Sequence, residues 1–109
     1  MSELAERQCV PCRGGVPPMK GEQINDMSSQ LPDWQVVNEH HLQRNYRFTD
    51  FRESLNFVNR VGELAEAQGH NPDICFGWGK ADITIWTHKI DGLTESDFVL
   101  AAKIDKLLT

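Results

Sequence analysis

The stretch Glu66-Ala-Gln-Gly-His70-Asn71-Pro72, followed by Trp78, His88 and Asp97, holds most of the side chains that could do chemistry. An imidazole titrates near pH 6.5, so two histidines brought to one place can donate and accept protons at neutral pH. Each candidate also has a plainer account. His70 at a helix end would sit beside the negative pole of the dipole, and His88 would be a strand-end surface residue. Asp97 stands three residues after Thr94, where a capping-box carboxylate belongs, so capping alone explains it. Glu66, one helical turn before His70, either orients it or lies on a solvated face. Pro72 disfavours α conformation at Asn71. Trp86 shares a strand face with Thr84 and His88 and could stack a flat heterocycle, whereas Trp78 reads as core.

The elements that must carry these residues follow from periodicity. Residues 50–68 read as the clearest helix: Phe51, Leu55, Val58, Val61, Leu64 and Ala65 make one apolar stripe, Asp50 and Glu53 form a capping-box variant, and Gly69 sits at the C-terminal cap. Residues 34–48 alternate as two strands with a turn near Asn38 to His41, where His40 and His41 are expected to be exposed polar turn residues. Residues 73–88 read as a second hairpin. A turn centred on Gly79-Lys80 would set Asn71 opposite His88, with His70 beside them, at one end of the hairpin. Residues 94–108 make a last helix with Leu100, Ile104, Leu107 and Leu108 on its apolar stripe, and residues 21–31 a short one stopped by Pro32. The fold class expected is therefore α+β: a four-stranded antiparallel sheet with helices packed on one face, in one compact domain. Residues 1–20, with Pro11, Pro17, Pro18, Gly14 and Gly15, read as an extended N-terminal arm, and residues 21–109 as the domain.

Composition bounds the rest. A chain of 109 residues is one domain. With 11 Lys+Arg against 16 Asp+Glu, the net charge of −5 argues against a general nucleic-acid or anionic-membrane binder. No apolar run approaches the roughly 20 residues of a membrane span, and the charged start of the chain lacks a secretory signal. Three cysteines without an export signal point to a reducing compartment, so a cytoplasmic location is expected. Cys9-x-x-Cys12 matches half a zinc site or a redox motif, but no second CxxC exists in the chain; free thiols on an arm are the simpler account. Cys75, in a strand, is expected to pack. A metal site on His70, His88 and Asp97 has no short ligand spacing in its favour.

The spaced set resembles the pterin-4a-carbinolamine dehydratase family over roughly residues 20–108. Glu66 precedes His70 by four; His70-Asn71-Pro72 is followed after five residues by Trp78, after nine more by His88, and after eight more by Asp97. Leu42-x-Arg44-x-Tyr46-x-Phe48 and Phe51 also resemble the family's second strand and helix start. The resemblance implies dehydration of 4a-hydroxytetrahydropterin to the quinonoid dihydropterin, with a pterin substrate, no metal or organic cofactor, and a homodimer or homotetramer. It places His70, His88, Asn71 and Asp97 in the catalytic set and Glu66, Pro72, Trp86 and Thr87 around the substrate. Asn71 stands where many relatives carry a second histidine; Asn can hydrogen-bond but cannot shuttle a proton near pH 7. Other readings on the same fold are a binding module, such as a transcriptional coactivator or assembly factor, and a pterin enzyme of molybdopterin-linked metabolism. An exposed sheet edge is the expected place for subunits to pair.

Overall fold

In the computed structural model, described here for residues 3–7 and 17–108, three α-helices and four strands follow one another as the sequence periodicity expects. Helix α1 spans Gly21–Ser28, strands β1 and β2 Gln35–Val37 and His41–Arg47, helix α2 Phe51–Gln68, strands β3 and β4 Asp73–Gly77 and Lys80–Ile85, and helix α3 Glu95–Lys106. The strands form one antiparallel sheet in the order β1-β2-β4-β3, so β1 and β3 are the edges. Along β4, Ala81, Ile83 and Ile85 are buried while Asp82 and Thr84 are not, so the helices cover one face. No helix among the described residues is long and apolar enough to cross a membrane.

The caps read from sequence form as expected. The Asp50 carboxylate accepts from the Glu53 N–H at 2.8 Å, and Glu53 accepts from the Thr49 N–H at 3.0 Å, which lowers the Glu53 pKa. At the other end of α2, Gly69 takes the left-handed conformation (φ 67°). The Gly69 and His70 N–H groups donate to the carbonyls of Glu66 and Ala65, the two bonds of a Schellman motif. His70 is thereby fixed where the chain leaves the helix.

Several expectations are corrected. The β3–β4 turn is centred one position earlier, on Trp78-Gly79, with Gly77 opposite Lys80 and Asp73 opposite Thr84. Gly79 sets it: its φ is 72°, its carbonyl accepts from the Phe48 N–H at 2.9 Å, and a Cβ there would lie 3.1 Å from the Phe48 oxygen. The shift preserves which residues share a face but removes Asn71 from opposite His88. Trp78, at the turn, is 71% exposed rather than core. Cys75 is exposed on the edge strand, because Ile74 and Phe76 on either side of it take the core face. On α2 the buried line is Ser54, Phe57, Val61 and Ala65, rotated from the expected stripe, and Phe51 stays 47% exposed with its ring 5.7 Å from that of Phe76. Helix α3 is buried almost all round from Ser96 to Ala102, because it packs on α2, on β2 and on the short 3₁₀ helix Glu3–Glu6. The stretch read as an extended arm contains that 3₁₀ helix, and its Leu4 is fully buried in the core. Cys9 and Cys12 lie outside the described residues.

A polar network closes the α3–sheet interface. Asp105 on α3 accepts from Trp34 Nε1–H at 3.0 Å, from Arg44 at 2.7 Å and from the Tyr46 hydroxyl, and the Arg44 guanidinium lies 4.3 Å from the centre of the Tyr46 ring. Burial first, then the Asp105 carboxylate, raises the Tyr46 pKa far above that of a free phenol. Nothing in the local periodicity singles out Asp105, since its three donors lie 59 to 71 residues away.

Candidate active site

Helix α2 ends where helix α3 begins, and His70 meets Asp97 at that junction. His70 Nε2 is 2.6 Å from Asp97 Oδ1. The other carboxylate oxygen accepts from the Thr94 N–H at 2.8 Å and from the Thr87 hydroxyl at 2.9 Å. Asp97 is fully buried, and the His70 side chain is 13% exposed. The carboxylate sits at the positive end of the α3 dipole and accepts from the N-cap N–H of Thr94, which makes a buried anion tolerable there. A carboxylate only accepts, so His70 Nε2 carries the shared hydrogen, and in the neutral ring Nδ1 holds the lone pair. This is an orienting carboxylate, an imidazole of fixed tautomer, and one ring nitrogen left for acid–base work. Asp97 thus closes the capping box, as its spacing predicts, and also grips His70.

Thr87 is buried, and its hydroxyl is committed to Asp97. The next residue, His88, lies in the turn that follows Thr87. His88 is exposed and its ring lies 4.4 Å from that of Trp86. The structure therefore brings together His70, Asp97, Thr87 and Thr94, and gathers His88 with Trp86 in a second cluster. Among the described residues no hydrogen bond or ring contact joins His70 to His88; the peptide Thr87-His88 connects the two clusters. Asn71 is exposed, Pro72 half-buried, and Glu66 lines a shallow groove with Val58, Gly62 and Ile74. Among the described residues no group of three or more His, Cys, Asp or Glu side chains is placed to hold a metal ion.

Sequence reasoning missed the company His88 keeps. His40 and His41 both pack on Trp86, with ring centres 5.5 and 6.1 Å away. The signal that finds them is the β2–β4 register: Leu42 pairs with Ile85, so one step further sets His41 beside Trp86.

An open four-stranded antiparallel sheet covered on one face, with a His–Asp pair at a helix–helix junction, defines a small α+β protein. The chain matches the description "Pterin 4 alpha carbinolamine dehydratase" over residues 17–107, and it belongs to that family. A Rubrobacter xylanophilus protein with a provisional pterin-4-alpha-carbinolamine dehydratase name is 71% identical over 98% of this chain and all of its own length. An Alkaliphilus metalliredigens protein with the same provisional name is 52% identical over 97% of this chain and 96% of its own. Among solved structures, a transcriptional coactivator/pterin dehydratase from Brucella melitensis superposes with a TM-score of 0.79 at 26% identity, covering 84% of this chain and 99% of that one. A pterin dehydratase-like protein identified as a RuBisCO assembly factor shares the fold, with a TM-score of 0.60 at 23% identity over 69% of this chain and 88% of that one.

Proposed function

We propose that this protein dehydrates 4a-hydroxytetrahydropterin to the quinonoid dihydropterin by imidazole acid–base catalysis, and so returns a tetrahydrobiopterin-type cofactor to aromatic amino acid hydroxylases. In the reaction the proton on ring N5 leaves, the nitrogen lone pair forms the C4a–N5 double bond, and the C4a–O bond breaks. The hydroxyl takes up a proton and departs as water. One group must accept the N5 proton and one must protonate the hydroxyl; positioned groups of this kind contribute about 10²–10⁴-fold. His70 and His88 share this work. Asp97 and Thr87 hold His70 in its tautomer, Asn71 offers a hydrogen bond, and Glu66, Pro72, Trp86 and Thr87 border the pterin. The observation that carries the reading is the 2.6 Å contact between His70 Nε2 and the fully buried Asp97. It leaves one imidazole nitrogen for substrate at the residue where the family resemblance puts a catalytic histidine.

The reaction needs no metal or organic cofactor. The protein works in the cytoplasm as a homodimer or homotetramer, built by pairing of exposed sheet edges. The test is dehydration of 4a-hydroxytetrahydropterin followed by ultraviolet absorbance, with wild type, His70→Ala and His88→Ala side by side and folding checked by circular dichroism. Fast turnover by wild type and loss in both variants is the expected result. A folded wild type that does not exceed the uncatalysed rate overturns it and leaves a binding role on the same fold. A neighbouring hydroxylase gene separates cofactor recycling from molybdopterin-linked metabolism.

A further inference from the structure

His40, His41, Trp86, His88 and Asp91 form a cluster in which His40, at the end of the β1–β2 turn, and His41, the first residue of β2, have no part in the chemistry above. His40 Nε2 lies 2.7 Å from Asp91 Oδ1, and His40 Nδ1 lies 3.1 Å from His41 Nδ1. The His40 and His41 rings meet edge to face at 5.3 Å, and both pack on the Trp86 indole, which also packs on His88. The backbone prepares each side. Asn38 and Glu39 take left-handed conformations (φ 54° and 55°), which folds the β1–β2 turn tightly, and Glu39 is tied down by the Gly21 N–H at 3.0 Å. Across from it, Thr87 to Gly92 closes as a loop in which the Asp91 N–H donates to the Thr87 carbonyl at 2.9 Å and the Thr87 N–H to the Gly92 carbonyl at 2.9 Å. His88 lies within that loop, so the His40–Asp91 contact restrains its backbone while Trp86 restrains its ring.

We propose that the Asp91–His40–His41 chain and the indole of Trp86 are a positioning apparatus for His88. His40, His41 and Trp86 then serve the dehydration without touching its reacting atoms. The inference rests on the function proposed above for His88, and it goes beyond the family's spaced motif, which contains neither His40 nor His41. Proton counting gives the cluster a second property. The Asp91 carboxylate takes the hydrogen on His40 Nε2, so a single hydrogen between the two Nδ1 atoms joins His40 to His41. That bond survives with both rings neutral or with one cationic, and it breaks when both are protonated. The titratable groups facing His41 are the preceding residue His40, His88 across Trp86, and Asp91 through His40. Burial, then the neighbouring His40, lowers the His41 pKa. The apparatus therefore holds at neutral pH and comes apart on the acid side of the usual histidine range.

The experiment compares wild type with His41→Leu, His41→Gln, Trp86→Leu and Trp86→Phe, in the full chain. Two readings are made on each. Steady-state dehydration is measured from pH 5 to 9, and the His88 imidazole Cε1–H resonance is followed by NMR over the same range. His41→Leu is expected to lower kcat about ten- to a hundred-fold with KM changed less than about threefold, as misplacement of a reacting group does; Trp86→Leu should lower kcat by a similar factor and, because Trp86 also borders the pterin, raise KM. Trp86→Phe should restore most of the rate, and His41→Gln, which keeps a polar partner but does not titrate, should flatten the acid limb. In the NMR series the His88 resonance should lose its ring-current shift in Trp86→Leu and move in His41→Leu. Unchanged kcat and an unchanged His88 resonance in both Leu variants overturn the proposal. If wild type itself has no dehydratase activity, the proposed function fails, and the NMR series alone still decides whether the cluster positions His88.

Discussion

Replacing Asp97 by Asn separates what the buried carboxylate does for catalysis from what it does for stability. Asp97 receives three donors: the His70 imidazole on one oxygen, and the Thr94 N–H and Thr87 hydroxyl on the other. An amide can keep its oxygen toward Thr94 and Thr87 and present its NH₂ to His70. His70 then answers by shifting its hydrogen from Nε2 to Nδ1, so that Nε2 accepts. The hydrogen-bond count is preserved and no cavity opens. The loss is the charge assistance in this contact, about 1–2 kcal/mol. In a domain of this size each kcal/mol lowers Tm by about 4–8 °C, and the protein remains folded at 25 °C. The catalytic effect is far larger, because Nδ1 now carries a hydrogen and can no longer accept one. The general acid–base contribution of about 10²–10⁴-fold is forfeited, as it is when the orienting aspartate of a serine protease triad becomes an amide. The contrast is Asp97→Ala. It strands three donors in a fully buried site and should cost about 3–5 kcal/mol, much of a small domain's stability. The assay is kcat/KM for 4a-hydroxytetrahydropterin dehydration beside thermal melting, with ¹⁵N chemical shifts of the His70 ring to read the tautomer. A folded Asp97→Asn variant with a rate within about threefold of wild type refutes the reasoning, as does a His70 tautomer that does not change.

Three further outcomes follow from the same geometry. Asp105→Ala leaves the buried Tyr46 hydroxyl and Trp34 indole N–H without their acceptor and should lower unfolding stability by about 3 kcal/mol in urea titration, whereas Asp33→Ala, which loses only a 3.7 Å surface contact to Arg44, should change it by less than about 0.5 kcal/mol. The raised Tyr46 pKa makes the native state hold its phenolic proton while the unfolded chain releases it above about pH 10. Its contribution is therefore fully present below that value and is lost as pH rises toward the folded pKa; the urea midpoint should fall from about pH 10 upward in wild type and less steeply in Tyr46→Phe. Gly69→Ala meets no atom within 4 Å but must hold φ at 67°, so it should lower stability by about 1–2 kcal/mol and, because the same turn aims His70, lower kcat as well; an Ala variant with unchanged Tm and kcat would contradict the role given to the Schellman turn.

Much of the fold and part of the site lie in local sequence signals. Helix α2 begins after Asp50 and ends before Gly69 because a capping carboxylate and a left-handed glycine act within a few residues of the backbone they satisfy. The capping box before α3 and the alternation of β2 and β4 are of the same short range. His70 and Asp97 stand out by residue type and spacing alone. What the sequence could not settle depends on which distant surfaces meet. The β3–β4 turn moved by one position, and the pairing by two residues, where Gly79 meets Phe48 just beyond β2, and Trp78 was left exposed at the turn. Asp97 became the partner of His70 only when the end of α2 was laid against the start of α3. His40 and His41 met Trp86, and through it His88, by strand pairing across some 45 residues, and Asp105 found its three donors across the α3–sheet interface. Caps and periodicity are properties of neighbouring residues. The grip of Asp97 on His70 is a property of packing, and only the folded chain supplies it.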